Sequence, residues 1–330
     1  MPALERMLAL APRIGATVIR EPRFGIAAQV LFANGVRRSF RRWSLDLNPT
    51  ASSELATDKD WSAYFMRALG YPAVPGEVFY SDEMCARLGS ERDLRAAIAH
   101  AESLGYPVFV KPNGRSQGRG VCKVFDRDEL EQAAAAVFEI DPVLLVQPVQ
   151  EGRDYRIVVL DDGVLCAYER RALAVVGDGV RSISQLLADK QEHFDAAERH
   201  DTIDAADPRI AMHLRRGGRS LAWIPPDGQE IPLLDSANLS DGGSARDVTD
   251  ELHAGYAEIA VRLTRDMGLR LCGIDIMTGE HISSAPDRYV VIEINAWPGI
   301  EYYAASGPRE RERVDGFYLA VLVALSRPTP

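Results

Sequence analysis

The stretch from Gly273 to Asn295 constrains this chain more than any other. It reads Gly273-Ile-Asp275-Ile-Met277, then a connecting segment, then Val290-Val-Ile-Glu293-Ile-Asn295-Ala-Trp-Pro298-Gly299. Both ends have the short, β-branched character of buried strands bounded by turn residues. Side chains alternate along a strand, so Glu293 and Asn295 share one face while Ile292 and Ile294 take the other. Asp275 likewise points away from Ile274 and Ile276, beside the small Gly273. Acidic residues and asparagine are depleted in strands, and a carboxylate is rarely buried without a partner. Three hard oxygen donors on adjacent apolar strands point to a divalent cation, Mg²⁺ shared with a nucleotide's phosphates. The competing reading is a structural salt bridge with one of the chain's many arginines.

A chain of 330 residues is long enough for two or three subdomains. Its net charge of −10 argues against a general nucleic-acid role and makes any basic site local. The cysteines (Cys85, Cys122, Cys166, Cys272) form no CxxC, and the histidines show no zinc spacing. A reducing, cytoplasmic location without structural zinc is expected. No apolar run approaches the ~20 residues of a membrane span, and the start lacks a signal-peptide pattern, so no membrane partner is expected.

Residues 1–55 read as a short leading unit. Within it, 26–33, the turn pair Asn34-Gly35 and 36–40 predict a hairpin. Arg37, Arg38, Arg41 and Arg42 crowd its second strand and exit. They make either an edge protected by charge or a surface for an anionic partner. A helix with Tyr64, Phe65 and Leu69 follows, with Lys59 near its start and Gly70 and Pro72 at its end. Ser90-Glu-Arg-Asp93 reads as a capping-box variant opening a helix whose apolar face is Leu94, Ala97, Ile98, Ala101 and Leu104.

Next, 106–111 predicts a strand ending on Lys111, and 121–125 predicts another. The glycine-rich segment Asn113-Gly114-Arg115-Ser116-Gln117-Gly118-Arg119-Gly120 joins them. A P-loop or a dinucleotide fingerprint would lead into a helix instead, so neither is present. A strand-to-strand loop with three glycines suits a flexible lid over phosphate, with Lys111 as a point charge from the preceding strand. The plainer alternative is a glycine-rich turn. Residues 143–146 predict a buried strand, interrupted by Gln147-Pro148-Val149-Gln150. Residues 157–160 and 164–171 pair about Asp161-Asp162-Gly163. Arg156, Arg170 and Arg171 then lie beside the acidic strands, where arginines either pair or grip phosphate. A second polar glycine loop begins at Asn238. A helix near Thr249 feeds the Asp275 strand. A final helix packs Val314, Phe317, Tyr318, Val321, Leu322 and Leu325 on the sheet.

In this order and spacing the motifs resemble those of the ATP-grasp ligases. The likeness is strongest to the ATP-grasp portion of cyanophycin synthetases. Ribosomal-protein glutamate ligases, glutathione synthetases and D-alanine–D-alanine ligases are more distant. The likeness runs from roughly residue 57 to 307. It rests on Asp58-Lys59, Lys111-Pro112 with Gly118-Arg119-Gly120, Gly152-Arg153-Asp154-Tyr155-Arg156, Val176-Gly177-Asp178-Gly179, Asn238-Leu239-Ser240-Asp241-Gly242-Gly243, Gly273-Ile274-Asp275 and Glu293-Ile294-Asn295. The second, Mur-ligase-like domain of cyanophycin synthetases has no counterpart in the sequence, so polymer formation is not implied.

The resemblance implies an α+β (α/β) ATP-grasp fold. The leading unit (1–55) is shortened, a lid subdomain spans 56–149, and a catalytic subdomain spans 150–330. It places Lys59 and Lys111 on the nucleotide's phosphates, under a loop containing Gly114, Ser116, Gly118 and Gly120. Gln147, Pro148 and Val149 form the hinge beside adenine, and Asp154 lies on the nucleotide side. Asp275, Glu293 and Asn295 match the Mg²⁺ ligands. Arg156 and Arg171 match basic positions facing the transferred phosphate, and Asn238 opens the loop on the acyl-phosphate side. The chain departs from the family at Gln147, which is often acidic, and at Gly273, where D-alanine–D-alanine ligases carry an arginine. The short leading unit is a third departure.

The implied activity is ATP-dependent joining of a carboxylate to an amine, on amino acids or small peptides. It proceeds through an acyl phosphate and releases ADP and phosphate. The alternatives are a ligase or macrocyclase acting on a ribosomal precursor peptide docked by the arginine-rich hairpin, a small-molecule kinase, and a nucleotide-binding regulator without turnover. Both lysines and the complete acid set count against the last. No nucleic-acid partner is expected, and a homo-oligomer is common in the family.

Overall fold

A computed structural model describes residues 3–41, 44–196, 199 and 203–328; Arg42 of the predicted hairpin lies outside them. The leading unit is helix α1 (Ala3–Leu10) followed by strands β1 (Thr17–Arg20), β2 (Ala27–Leu31), β3 (Arg37–Arg41) and β4 (Ser44–Leu45), in one antiparallel sheet of that order. Asn34 and Gly35 make the β2–β3 turn. Gly35 takes φ +83°, and the Asn34 side chain accepts from the Val36 N–H. Strand β4 pairs only with Phe40 and Arg41, so the exit of β3 is covered while Arg37 and Arg38 stay on the edge. Arg38 is not a free docking charge, however. It donates to the carbonyls of Leu325 (3.1 Å) and Arg327 (2.7 Å) at the end of the last helix.

Helices α2 (Thr50–Thr57) and α3 (Lys59–Ala68) come next. Asp58 caps α3 by accepting from the Trp61 N–H, which fixes Lys59 in the first turn. The segment 56–73, grouped with the lid on sequence grounds, buries Ala56, Ala63, Met66, Tyr71 and Ala73 in the core of the large sheet. The lid itself comprises β5 (Glu77–Tyr80), α4 (Asp82–Leu88), α5 (Leu94–Leu104), β6 (Val108–Pro112), β7 (Cys122–Val124), α6 (Arg127–Phe138) and β8 (Val143–Pro148). Its strands run in the order β5-β8-β6-β7. Helices α5 and α6 bury Ile98, Ala101, Leu130 and Val137 against Val108, Val110, Leu144 and Val146.

Two lid details differ from expectation. Asp93, not Ser90, is the α5 cap, accepting from the Ala96 N–H at 2.9 Å. An aspartate three residues before a free N–H needs no longer box. And β8 is not broken at Gln147. It pairs through Pro148, opposite Val108. The proline is tolerated because β5 begins only at Glu77, opposite Val146, so on that side no ladder partner reaches Pro148.

The second half of the chain begins with β9 (Arg153–Leu160) and β10 (Gly163–Arg171). A small layer of β11 (Ala174–Val176), α7 (Ile183–Ala196), α8 (Pro208–Arg216) and β12 (Glu230–Pro232) follows. The chain returns through β13 (Ser244–Asp247), α9 (Ala254–Asp266), β14 (Leu271–Thr278), β15 (Tyr289–Asn295), α10 (Glu301–Ala304) and α11 (Pro308–Ser326). The large sheet is antiparallel, ordered β13-β10-β9-β14-β15. One face packs Tyr155, Ile157, Ile274 and Ile276 under α9. The other changes character along each strand. Val158, Leu160, Cys166, Tyr168 and Leu271 pack with α1, α10 and α11. Further along the same face come Asp154, Arg156, Arg170 and Asp275. The predicted α11 stripe is buried there, against Met7, Val30 and Phe40 of the leading unit.

Candidate functional site

The charged half of that face opens into a cleft of about 1380 Å³ between the large sheet and the lid. Strand register assembles its floor. Asp275 lies opposite Arg156 on β9 and opposite Glu293 on β15, and Asn295 follows two residues on. Directly opposed residues share a face, so the three predicted metal ligands come together. The Asn295 amide donates to Glu293 at 3.3 Å. One detail was not expected. The β14–β15 register slips between Asp275 and Ile276, leaving Ile292 as the extra residue of a bulge. Ile294 is buried as expected, but Ile292 is only half-buried and lines the cleft.

Both sequence readings of Asp275 meet at this point. The residue is 1% exposed, and Arg156 grips it bidentately at 2.5 and 2.6 Å. Arg170 reaches it at 2.9 Å and holds Asp154 at 2.7 Å with the same guanidinium. Asp154 is thus the partner of Arg170. Burial pushes its carboxyl up against the pull of that guanidinium. Burial alone would raise Glu293 too, but Lys59, Lys111, Arg156 and Arg170 outweigh it and hold the carboxyl at about 2. Its side chain keeps 24% exposure toward the cleft. Lys111 is buried and pushed down to about 8 by desolvation, with Glu293 opposing and Lys59 reinforcing.

Among the described residues no group of three or more His, Cys, Asp or Glu is placed to hold a metal. Two carboxylates and a carboxamide form the relevant donor set. Glu293 and Asn295 fit a hard divalent cation, having oxygen donors side by side at an open wall. Asp275 fits less directly, because its oxygens are already engaged by guanidinium groups.

The nucleotide side is tied together by Asn113. Its side chain donates to Asp58 (2.8 Å) and accepts from the Asp60 N–H (3.0 Å). Lys59 Nζ donates to the Asn113 carbonyl (3.3 Å) and the Arg115 carbonyl, and lies 4.0 Å from Glu293. The glycine loop starts with the Gly114 N–H on Asp141 (3.0 Å). It is latched across the cleft: Ser240 Oγ donates to the Gln117 carbonyl (2.9 Å), and Arg209 bridges the Gly118 carbonyl and Asp241. Gly118 takes φ +66°, and a Cβ there would meet Asn238 Nδ2 at 2.0 Å. Gly114, Ser116 and Gly118 line the cleft. Gly120 instead turns the chain toward β7, against Ile140 and Pro112.

Gln147, Pro148 and Val149 line the cleft at the end of β8. Gln147 donates to the Val74 carbonyl at 3.4 Å, in space left open by Gly76. Asn238 accepts from the Ser240 N–H, and its Nδ2 is buried against Gly118 without a hydrogen-bond partner.

Arg171 also lines the cleft, but away from the Asp275 floor. It lies 56% exposed, 3.0 Å from Glu169, in a separate cluster with Arg246. Strand parity explains this. Tyr168 opposes Arg156, so Arg170, two residues on, shares its face and Arg171 takes the other. That parity is readable in the sequence once the hairpin register is known. Asn113 and Arg209 were missed as well, because neither carries a local signal. Gly273 cannot take a side chain, since a Cβ would meet Pro298 at 2.7 Å and Arg156 at 3.4 Å.

A glycine flap and two lysines facing an acid–amide–arginine floor, across a cleft between two α+β layers, define a nucleotide-gripping enzyme. Comparisons with known proteins agree. Residues 65–179 match the family described as D-ala D-ala ligase C-terminus, and residues 249–306 match the inositol 1,3,4-trisphosphate 5/6-kinase ATP-grasp domain. Cyanophycin synthetase of Trichormus variabilis is 31% identical over 276 residues, covering 82% of this chain and 29% of that protein. The bifunctional glutathione biosynthesis protein of Pasteurella multocida is 31% identical over 193 residues, 56% of this chain and 25% of that one. In fold, the crystal structure of a bifunctional glutathione synthetase from Pasteurella multocida matches 97% of this chain and 44% of its own, with a TM-score of 0.62 at 22% identity. The chain belongs to the ATP-grasp ligase superfamily. It spans under a third of the length of these curated relatives. Among the described residues no helix is long and apolar enough to cross a membrane.

Proposed function

We propose that this chain is an ATP-dependent carboxylate–amine ligase acting on amino acids or small peptides in the cytoplasm. The observation that carries the reading is the single sheet face holding Arg156, Arg170, Asp275, Glu293 and Asn295 opposite Lys59, Lys111 and the flap. Lys59 and Lys111 bind the phosphates of ATP. A substrate carboxylate attacks the γ-phosphorus, giving an acyl phosphate and ADP. An amine then attacks the acyl carbon, loses its proton, and inorganic phosphate leaves. Phosphoryl transfer needs charge neutralisation and alignment more than a protein nucleophile. Arg156 supplies that charge in a fixed position, because Asp275 holds it at two points. The closed flap keeps water from the acyl phosphate. Glu293 and Asn295 would hold Mg²⁺, which neutralises charge on the nucleotide's phosphates when bound. We take 1–55 as a pocket wall, 56–149 as the lid unit and 150–330 as the catalytic unit. Of the hairpin arginines that the peptide-docking alternative would use, Arg38 is committed to the end of α11.

The test is ATP consumption with paired amino-acid panels. ADP and phosphate should appear only with both substrates present, and hydroxylamine should trap the acyl phosphate as a hydroxamate. Phosphate retained on the product without hydroxamate would identify a kinase and overturn the reading. Glu293→Ala should lower turnover by more than about 100-fold with the circular dichroism spectrum unchanged.

A further inference from the structure

The large apolar residues that mark α3 in the sequence are not the ones it buries. Ser62, Ala63 and Met66 are buried, the last two in the core under the large sheet. Lys59, one turn before Ala63, stands on that same side. Trp61, Tyr64, Phe65 and Leu69 face solvent instead, at 60%, 60%, 44% and 49% exposure. Their spacing of three and four residues makes one continuous stripe, with Tyr64 and Phe65 edge to face at 5.3 Å. Single exposed apolar residues are ordinary, but four in one stripe, three of them aromatic, have the composition of an interface core. None of the four lines the cleft, so the nucleotide site gives the stripe no role.

The stripe carries its own electrostatic complement along one flank. Asp60 in the first turn and Arg67 in the last are two helical turns apart and lie on the same edge of it. Neither makes an ion pair among the described residues. Arg67 uses one donor on the Val74 carbonyl (3.2 Å) and is otherwise exposed. Asp60 is half-buried. Burial and the like charges of Asp58 and Glu77 raise its carboxyl more than Arg67 and Arg92 lower it. A second copy laid antiparallel on the stripe brings Asp60 of each to Arg67 of the other, because a two-fold axis across the helices matches like flanks end for end. A parallel copy would put the charged flanks on opposite sides and leave them unpaired. At these exposures the four apolar side chains offer roughly 400 Å² per copy, and a pair with its flanks would bury roughly 1,000 Å². That is the size of a reversible dimer, not of an obligate one.

We infer that α3 is the contact between two copies of this chain, paired antiparallel about a two-fold axis near Tyr64. The pairing leaves both clefts open, and it does not depend on the ligase reading.

Sedimentation equilibrium of the full chain, from about 1 to 200 µM, tests it. A monomer–dimer equilibrium with a Kd of order 10 µM is expected. Trp61→Ala should raise that Kd at least tenfold, and Tyr64→Glu, which sets like charges together at the axis, should leave a monomer throughout. Both side chains are exposed, so melting temperatures measured below the Kd should not change. Arg67→Glu and Asp60→Lys should each weaken self-association, and an equimolar mixture of the two variants should restore it, because only the mixed dimer has opposite charges at both contacts. A monomer at every concentration would leave the stripe to some other partner and overturns the inference. So does a dimer indifferent to Trp61→Ala and Tyr64→Glu, or assembly beyond the dimer. Failure of the mixture to restore pairing overturns the antiparallel arrangement. Should Asp60→Lys itself lower the melting temperature, Tyr64→Glu decides.

Discussion

Lys111 shows how burial sets the working range of a single side chain. Its ammonium is held at about 8, below the ordinary lysine range, because desolvation outweighs the attraction of Glu293. Triphosphate binding favours the charged form. Nucleotide affinity should therefore fall as pH rises through about 8, by up to about tenfold per pH unit, with proton uptake on binding above that pH. Titration calorimetry in buffers of different ionisation enthalpy reads both, and Lys111→Ala should abolish the dependence. For stability the sign is opposite. Between pH 8 and the ~10.4 of an unfolded lysine, the unfolded chain binds the extra proton, so stability rises across that window. Arg170 and Arg171 make the second residue-scale contrast. Arg170→Ala strips a partner from buried Asp154 and Asp275 and should cost about 3–5 kcal/mol in urea unfolding, along with turnover. Arg171→Ala, on an exposed side chain that leaves Glu169 its other arginines, should stay within about 0.5 kcal/mol.

At the scale of elements, the flap behaves as a latch whose strike plate is the Asn238 loop. Gly118→Ala adds a methyl group where Asn238 already stands, at a backbone angle that L residues avoid. The loop should lift, raising KM for ATP several-fold and exposing 114–120 to limited proteolysis, with little change in melting temperature. The flap, the two lysines and the acid–amide floor were legible in the sequence, because strand alternation and glycine spacing are local signals. The choice of Arg170 over Arg171 was not, since it depends on which residue of a neighbouring strand stands opposite. The bulge at Ile292 was hidden for the same reason, because an inserted residue is seen only against its partner. Strand β8 was cut short in the reading because proline is usually a terminator, and only the late start of β5 at Glu77 makes it harmless. Helix α1 and strand β1 were overlooked because the hairpin signal beside them was stronger.

The whole molecule is held by a core that crosses its divisions. Met7 of the leading unit packs with Phe317 and Leu322 of α11, under Val158 and Tyr168 of the large sheet. Met7→Ala should therefore destabilise the large-sheet half, by about 2–5 kcal/mol, and a single urea transition should report loss of activity and loss of helix together. The strands that change from oily to charged along one face have a wider consequence. The charged side chains of the cleft floor stand on the same β9, β10 and β14 that hold the fold together, whereas Arg6, Arg41 and Arg311 of the cleft wall come from peripheral helices and a hairpin. Variation in lineage or laboratory is tolerated unequally by the two. Descendants of this scaffold should diverge in what they accept long before they diverge in what they do to it.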